Sequence, residues 1–417
     1  MENALALFII ISLFALWKLD FIATLLNLKA LDPKLPAEFA DVFDADKYAK
    51  SQNYTRVTEK FGIIESIFSL MLMLGFWLTG GFGWLDNYVR GFGHGEIVTG
   101  LIFMGILFAA QVIIMIPFQL YDTFVIEEKF GFNKTTVKTF IIDQIKGLIL
   151  MALIGGPILA LILWIFDTVP MAWLWAWAAF TIIQLLLTYI APSVFLPLFN
   201  KFEPMPEGEL KDAINDMAKK CDFPLTELFI MDGSKRSTKS NAFFTGFGKN
   251  KKIALFDTLV ENHTTEGLVG ILAHEIGHFK CKHIIKRMIT GIIQSLVVFY
   301  LIGLLTDKNG EVAKLLFDAF HMDQISVYAG LVFFGLLFAP VKKLLSIYSN
   351  YGSRKDEFEA DAYAANAQGT PDHLMQSLKK LSADNLVNLT PHTLPVFLDY
   401  SHPPMLERLE ALKKLRK

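Results

Sequence analysis

Long apolar runs alternate with polar segments along most of this chain. A helix needs about 20 mainly apolar residues to cross the hydrocarbon of a bilayer. Seven stretches meet that length: 4–28, 63–85, 97–120, 145–166, 169–195, 288–305 and 325–345. The fourth and fifth are separated only by a turn near Asp167 and Thr168, which predicts a helical hairpin. The first run carries Lys18 and Asp20, two charges expected to face protein. No Lys or Arg precedes that run and no clean small-x-small cleavage site follows it. It therefore reads as a retained span and not as a signal peptide.

The polar remainder divides the chain. Residues 1–199 form a membrane region of five spans, 200–287 a first polar segment, 288–345 two further spans, and 346–417 a second polar segment. Basic residues cluster after the first, third, fifth and seventh spans and are scarce between them: Lys29, Lys34, Lys47, Lys50, Arg56 and Lys60 after the first, only Arg90 after the second. That bias puts the N-terminus outside and both long polar segments in the cytoplasm, where they can fold as one domain. In the first segment, 207–221 reads as an amphipathic helix, and 227–231, 240–247 and 253–256 as short strands. Residues 248–251 read as a hairpin turn, and a helix starts near Thr265. In the second segment, helices are expected over 353–367, over 370–382 and after Pro404.

Composition agrees with lipid. The chain has 417 residues, 53% hydrophobic and 19% charged, where soluble domains carry about 25% charged residues. A net charge of −2 with no basic stripe excludes nucleic acid as an expected partner. The two cysteines, Cys221 and Cys281, make neither a disulfide framework nor a Cys-x-x-Cys site. Asn262-His263-Thr264 matches a glycosylation acceptor but lies on the expected cytoplasmic side.

The chemistry concentrates in His274-Glu275-Ile276-Gly277-His278. Residues four apart share a helix face, so His274 and His278 can point at one metal. Glu275 then stands beside the open coordination position. This is the His-Glu-x-x-His arrangement of zinc peptidases, in which the metal acidifies water and the Glu takes its proton. A catalytic zinc takes three protein ligands. A third His at position 284 is ruled out by Ile284. Cys281 shares the face, His283 lies off it and His263 precedes the helix. A distant option is Glu357-Phe358-Glu359-Ala360-Asp361, where Glu357 and Asp361 share a face as a ligand and its outer support would. Spacing alone leaves a solvated acidic face equally open there.

Several motifs together resemble the zinc-dependent type I CAAX prenyl endopeptidases: His274–His278, Glu357-Phe358-x-Ala360-Asp361, the run from Tyr121 to Phe132, Ser240-Asn241-Ala242-Phe243-Phe244, and Ser401-His402-Pro403-Pro404. The resemblance covers nearly the whole chain. It implies a mainly α polytopic protein, with seven transmembrane helices around a water-filled chamber capped by a cytoplasmic α+β zinc-metallopeptidase domain. It implies one zinc per chain on His274, His278 and Glu357, with Asp361 as outer support. Glu275 would be the general base and His402 would stabilise the oxyanion. Asn241 would bind the substrate backbone by strand addition, and Arg408 would be a polar residue of the same substrate-binding cleft. The implied substrate is a prenylated protein or peptide that loses its last three residues, in a bacterial inner membrane or the ER membrane. Two alternatives share parts of this reading. A membrane-protein quality-control protease would have the same site and cut unprenylated segments. A transporter or scaffold with an inactive motif would bind no zinc and ignore a change at Glu275.

Overall fold

The computed structural model describes residues 3–245, 251–307 and 309–416. Five long apolar helices come first: α1 (Ala4–Lys29), α2 (Ala45–Leu78), α3 (Glu96–Phe130), α4 (Val137–Thr168) and α5 (Ala172–Phe199). Each overlaps an expected span and extends beyond it at one end or both, although α2 stops at Leu78, short of the expected 85, and α5 starts at Ala172, after the expected 169. α2 starts well before its apolar half, with Asp44 capping its first turn through the Lys47 amide. α3 and α4 each contain one wide turn, at Asp122–Glu127 and Met151–Gly155. The two charges expected to face protein, Lys18 and Asp20, are both exposed, although Asp20 pairs with Lys343 at 2.8 Å.

The first polar segment builds β1 (Phe202–Pro204), α6 (Glu209–Lys220), β2 (Leu225–Met231), β3 (Ala242–Thr245) and β4 (Lys251–Phe256). The sheet order is β1-β2-β4-β3, parallel only between β2 and β4. β3 is thus an edge strand. The first three residues of the expected turn at 248–251, and the end of the expected strand at 246–247, lie outside the described residues. α7 (Thr265–Lys280) follows, capped by the Thr264 hydroxyl on the Gly267 amide, a stabilising arrangement at a helix start.

α8 (His283–Leu305) is the sixth span, and the seventh is broken. α9 (Val327–Leu337) and α10 (Ala339–Gln368) meet at 59°. Pro340 accounts for the break, because it has no N–H to give the carbonyl of Leu336 and its ring crowds that turn. α10 then runs without interruption from the last span into the second polar segment and ends at Gly369, which takes the left-handed conformation with φ 82°. α11 (Asp372–Asp384), α12 (Thr393–Asp399) and α13 (Met405–Lys413) complete the chain.

The two polar segments share one core. Ile214, Leu228, Ile253, Leu272 and Ile276 pack with Ala364, Leu374, Leu378 and Leu409. The connection between α1 and α2 joins them, contributing Phe39, Phe43 and Tyr48. A second core closes the far end of the bundle around Trp77, Phe82, Phe103, Phe320 and Phe333.

Candidate metal centre

Small residues let α7 and α10 cross closely. A Cβ added at Gly277 would stand 3.0 Å from both Cα and O of Ala360 and 3.2 Å from Cβ of Tyr363. The crossing faces His274 and His278 of α7 toward Glu357 and Asp361 of α10. Gly277→Ala would force the two backbones apart, at about 1–3 kcal/mol for such overpacking. The expected result is a lower melting temperature together with weaker metal binding, read by chelator competition. Unchanged metal affinity would show that the crossing tolerates the extra methyl.

At the crossing three candidate ligand atoms converge. Nε2 of His274 and of His278 are 3.1 Å apart. Glu357 places Oε2 3.4 Å from the first and Oε1 3.2 Å from the second. Ligand atoms about 2.1 Å from one tetrahedral ion are about 3.4 Å from each other, so these edges have the size a metal needs. Oε2 of Glu357 is also buried without a well-formed hydrogen bond. The electrostatics agree. Burial disfavours a charged His274, yet hydrogen bonds to Asp361 and Glu357 prevail and raise its pKa to about 9. Burial pushes the Glu357 carboxyl up, but hydrogen bonds from both His rings and the nearby Arg408 hold it far below the usual carboxylate range. Both directions describe a pocket that holds positive charge. The donor set fits a divalent metal ion.

The surrounding groups fix these side chains. Asp361 Oδ1 lies 2.8 Å from Nδ1 of His274. Arg408 reaches from α13 with a bidentate pair to Asp361 at 2.7 and 2.8 Å and approaches Glu357 at 3.4 Å. Arg408 is 5% exposed, so it lies under the cluster and not on a cleft surface. Glu275 is partly buried next to His274, and burial pushes its carboxyl up while the His rings oppose that shift. His402 is mostly exposed, with Nε2 3.5 Å from Oε1 of Glu357 and Nδ1 3.0 Å from the Ser401 hydroxyl. Asn241 is exposed at the start of β3; its side chain accepts from the Ala242 amide and its carbonyl accepts from the Phe256 amide. β3 packs beside α7.

Other local candidates stand apart. Cys281, His283 and Glu359 also place one possible ligand atom each within 4.8 Å of one another. Glu359 is half-exposed, however, and the ring of His283 is already engaged with His278 and two carboxylates. His263 is partly buried near α11, where desolvation lowers its pKa.

Three positions with structural roles were not singled out in the sequence. Arg354, one turn before Glu357, donates to the carbonyls of Val396 and Tyr400 and so ties the segment carrying His402 to α10. Asn385 bonds both the amide and the carbonyl of Ser240, fixing the approach to β3. Lys239 pairs with Glu127 and donates to the Tyr54 hydroxyl, each at 2.8 Å. Arg354 had a signal in its helical spacing from Glu357; the other two contacts are long-range and had none.

Residues 24–201 match the family model described as CAAX prenyl protease N-terminal, five membrane helices, and residues 204–416 match that of peptidase family M48. The chain is similar to CAAX prenyl protease 1 of Saccharomyces cerevisiae, with 35% identity over 409 residues, 92% of this chain and 89% of the yeast protein. It is 34% identical to a human CAAX prenyl protease 1 homolog over 433 residues, again 92% and 89% of the two chains. Its fold is similar to the crystal structure of S. mikatae Ste24p, with a TM-score of 0.90, 35% identity and 98% of each chain covered.

Proposed function

The chain belongs to peptidase family M48, joined to the membrane region of the CAAX prenyl proteases, and from that premise we propose that it is a zinc endopeptidase that cuts after a prenylated cysteine and frees the C-terminal tripeptide. It is a multi-pass membrane metalloendopeptidase acting on peptide or protein. The observation that carries the finer reading is the convergence of His274, His278 and Glu357 at metal-ligand spacing beside an edge strand.

In this reading His274, His278 and Glu357 hold the zinc. Bound there, zinc would acidify water and polarise the scissile carbonyl. Glu275 takes a proton from the attacking water and delivers it to the leaving amine. His402 reaches the open side and donates to the oxyanion of the tetrahedral intermediate. The edge of β3 offers backbone groups to an extended substrate, with Asn241 at its start. Asp361 orients His274, and Arg408 holds Asp361 and Glu357 in place. The shared core of 200–287 and 346–417 supports treating both segments as one catalytic unit. The basic-residue bias supports placing that unit on the cytoplasmic side of a bacterial inner membrane or ER membrane.

The test pairs a farnesylated CAAX peptide with its unprenylated twin, using the full chain in detergent. Cleavage of the farnesylated peptide should be faster by at least about tenfold, the kinetic equivalent of about 1.4 kcal/mol of apolar recognition, and should stop on zinc removal. Equal or faster cleavage of the unprenylated peptide would sink the prenyl assignment and favour quality control. Absence of both zinc and cleavage would sink the enzyme site itself.

A further inference from the structure

His278 and His283 meet through their rings at the junction of α7 and α8. Their Nδ1 atoms are 3.0 Å apart. His283 is fully buried, and its Nε2 faces Glu359 at 3.2 Å and Asp356 at 3.4 Å. Asp356 is itself held by Arg287 at 2.9 Å.

We propose that His283 is a positioning residue that fixes His278 in the tautomer able to bind metal, acting as a relay between that ring and two carboxylates. The proposal rests on the reading of His278 as a ligand. A ligating ring nitrogen must offer a lone pair. His278 turns Nε2 toward the cluster, so its proton sits on Nδ1 and needs an acceptor. His283 Nδ1 stands at hydrogen-bonding distance. To accept, it must carry its own proton on Nε2, and two acceptors await that proton. The carboxylates therefore set the orientation of both rings. His274 receives the same support in one step, from Asp361 at 2.8 Å. A metal-bound His usually has such a partner; at Nδ1 of His278 the neighbour is the ring of His283, which spans the gap to the carboxylates.

The backbone is shaped for this contact. Continuing α7 would carry residue 283 off the face of His278. Instead Lys282 adopts φ 61° and ψ 28°, the left-handed conformation. That is uncommon for a residue with a long side chain. The turn restarts the chain as α8 with His283 as its first residue, aimed back at the site. In this relay Nε2 of His283 carries a proton, so it has no lone pair to give a metal between Cys281 and Glu359 while His278 is a ligand.

The decisive measurement is zinc affinity of the detergent-purified full chain, stripped of metal and titrated with zinc against a chromophoric chelator. His283→Ala removes the acceptor, and affinity should fall about 10–100-fold. His283→Asn puts an amide oxygen near the place of Nδ1, and should stay within about threefold of the parent. A folded His283→Ala chain with parental affinity would overturn the proposal, as would His283→Asn falling as far as His283→Ala. If the alanine variant does not fold, the double variant Asp356→Ala, Glu359→Ala decides instead. It strips the far end of the relay, and parental affinity there would overturn the proposal too. His278→Ala is the control on the underlying reading: parental zinc affinity in that variant would mean His278 is not a ligand, a different failure from the first.

Discussion

Glu275→Gln is expected to hold zinc as tightly as the parent chain and to cleave peptide about 10²–10⁴ times more slowly, the usual cost of losing a positioned base. The amide keeps the size and packing of the side chain but cannot take a proton from water. None of the converging ligand atoms belongs to Glu275, so the metal should stay. Zinc content by elemental analysis and cleavage rate on the same preparation separate the two effects. Loss of both together would mean that Glu275 supports the cluster structurally, and retention of both would remove it from the chemistry.

Arg408→Met should give the largest loss of stability, with a size that depends on the metal. Arg408 is the fixed cation under the site, bidentate to Asp361 and close to Glu357. Methionine fills much of the space and leaves two buried carboxylates without it. Breaking a buried pair by removing one partner costs about 3–5 kcal/mol. The metal-free chain should bear that loss in full. Added zinc brings positive charge to Glu357 and should recover part of it. The measurement is the midpoint of thermal inactivation in detergent, with and without zinc. A midpoint equal to the parent's in both conditions would show that the carboxylates find other partners.

The apolar spans were legible because length and composition decide what can cross a bilayer. All seven expected stretches correspond to long apolar helices, the last as a bent pair. What was not legible lies where composition changes but backbone conformation does not. The switch from apolar to polar after residue 345 suggested that the span ended and a new helix began near 353. Beyond Pro340, however, nothing in the stretch interrupts a helix, so α10 continues from one environment into the other. The segment after the first span was read only for its basic residues, yet Phe39, Phe43 and Tyr48 enter the core of the peptidase unit. Three aromatics among charges carry too little periodicity to announce that.

The site showed a similar division. The spacing of His274 and His278 was enough to put them on one face of α7. Glu357 and Asp361 shared a face by the same arithmetic, but only the crossing of α10 over Gly277 brings them to the His pair. His283 lay off the face on an ideal helix, and the left-handed turn at Lys282 is what turns it back. Arg408 was expected in a cleft. Its guanidinium instead lies buried against Asp361, a distinction between surface and interior that sequence spacing does not carry.

One helix links lipid to chemistry. α10 begins at the 59° bend, and Glu357 sits about 27 Å farther along it at 1.5 Å per residue. A rod of that length acts as a lever arm: one degree of rotation at the bend sweeps Glu357 through about 0.5 Å. Metal–ligand distances tolerate about 0.2 Å. The angle of the bend and the spacing of the His274, His278 and Glu357 cluster are thus mechanically coupled through one helix.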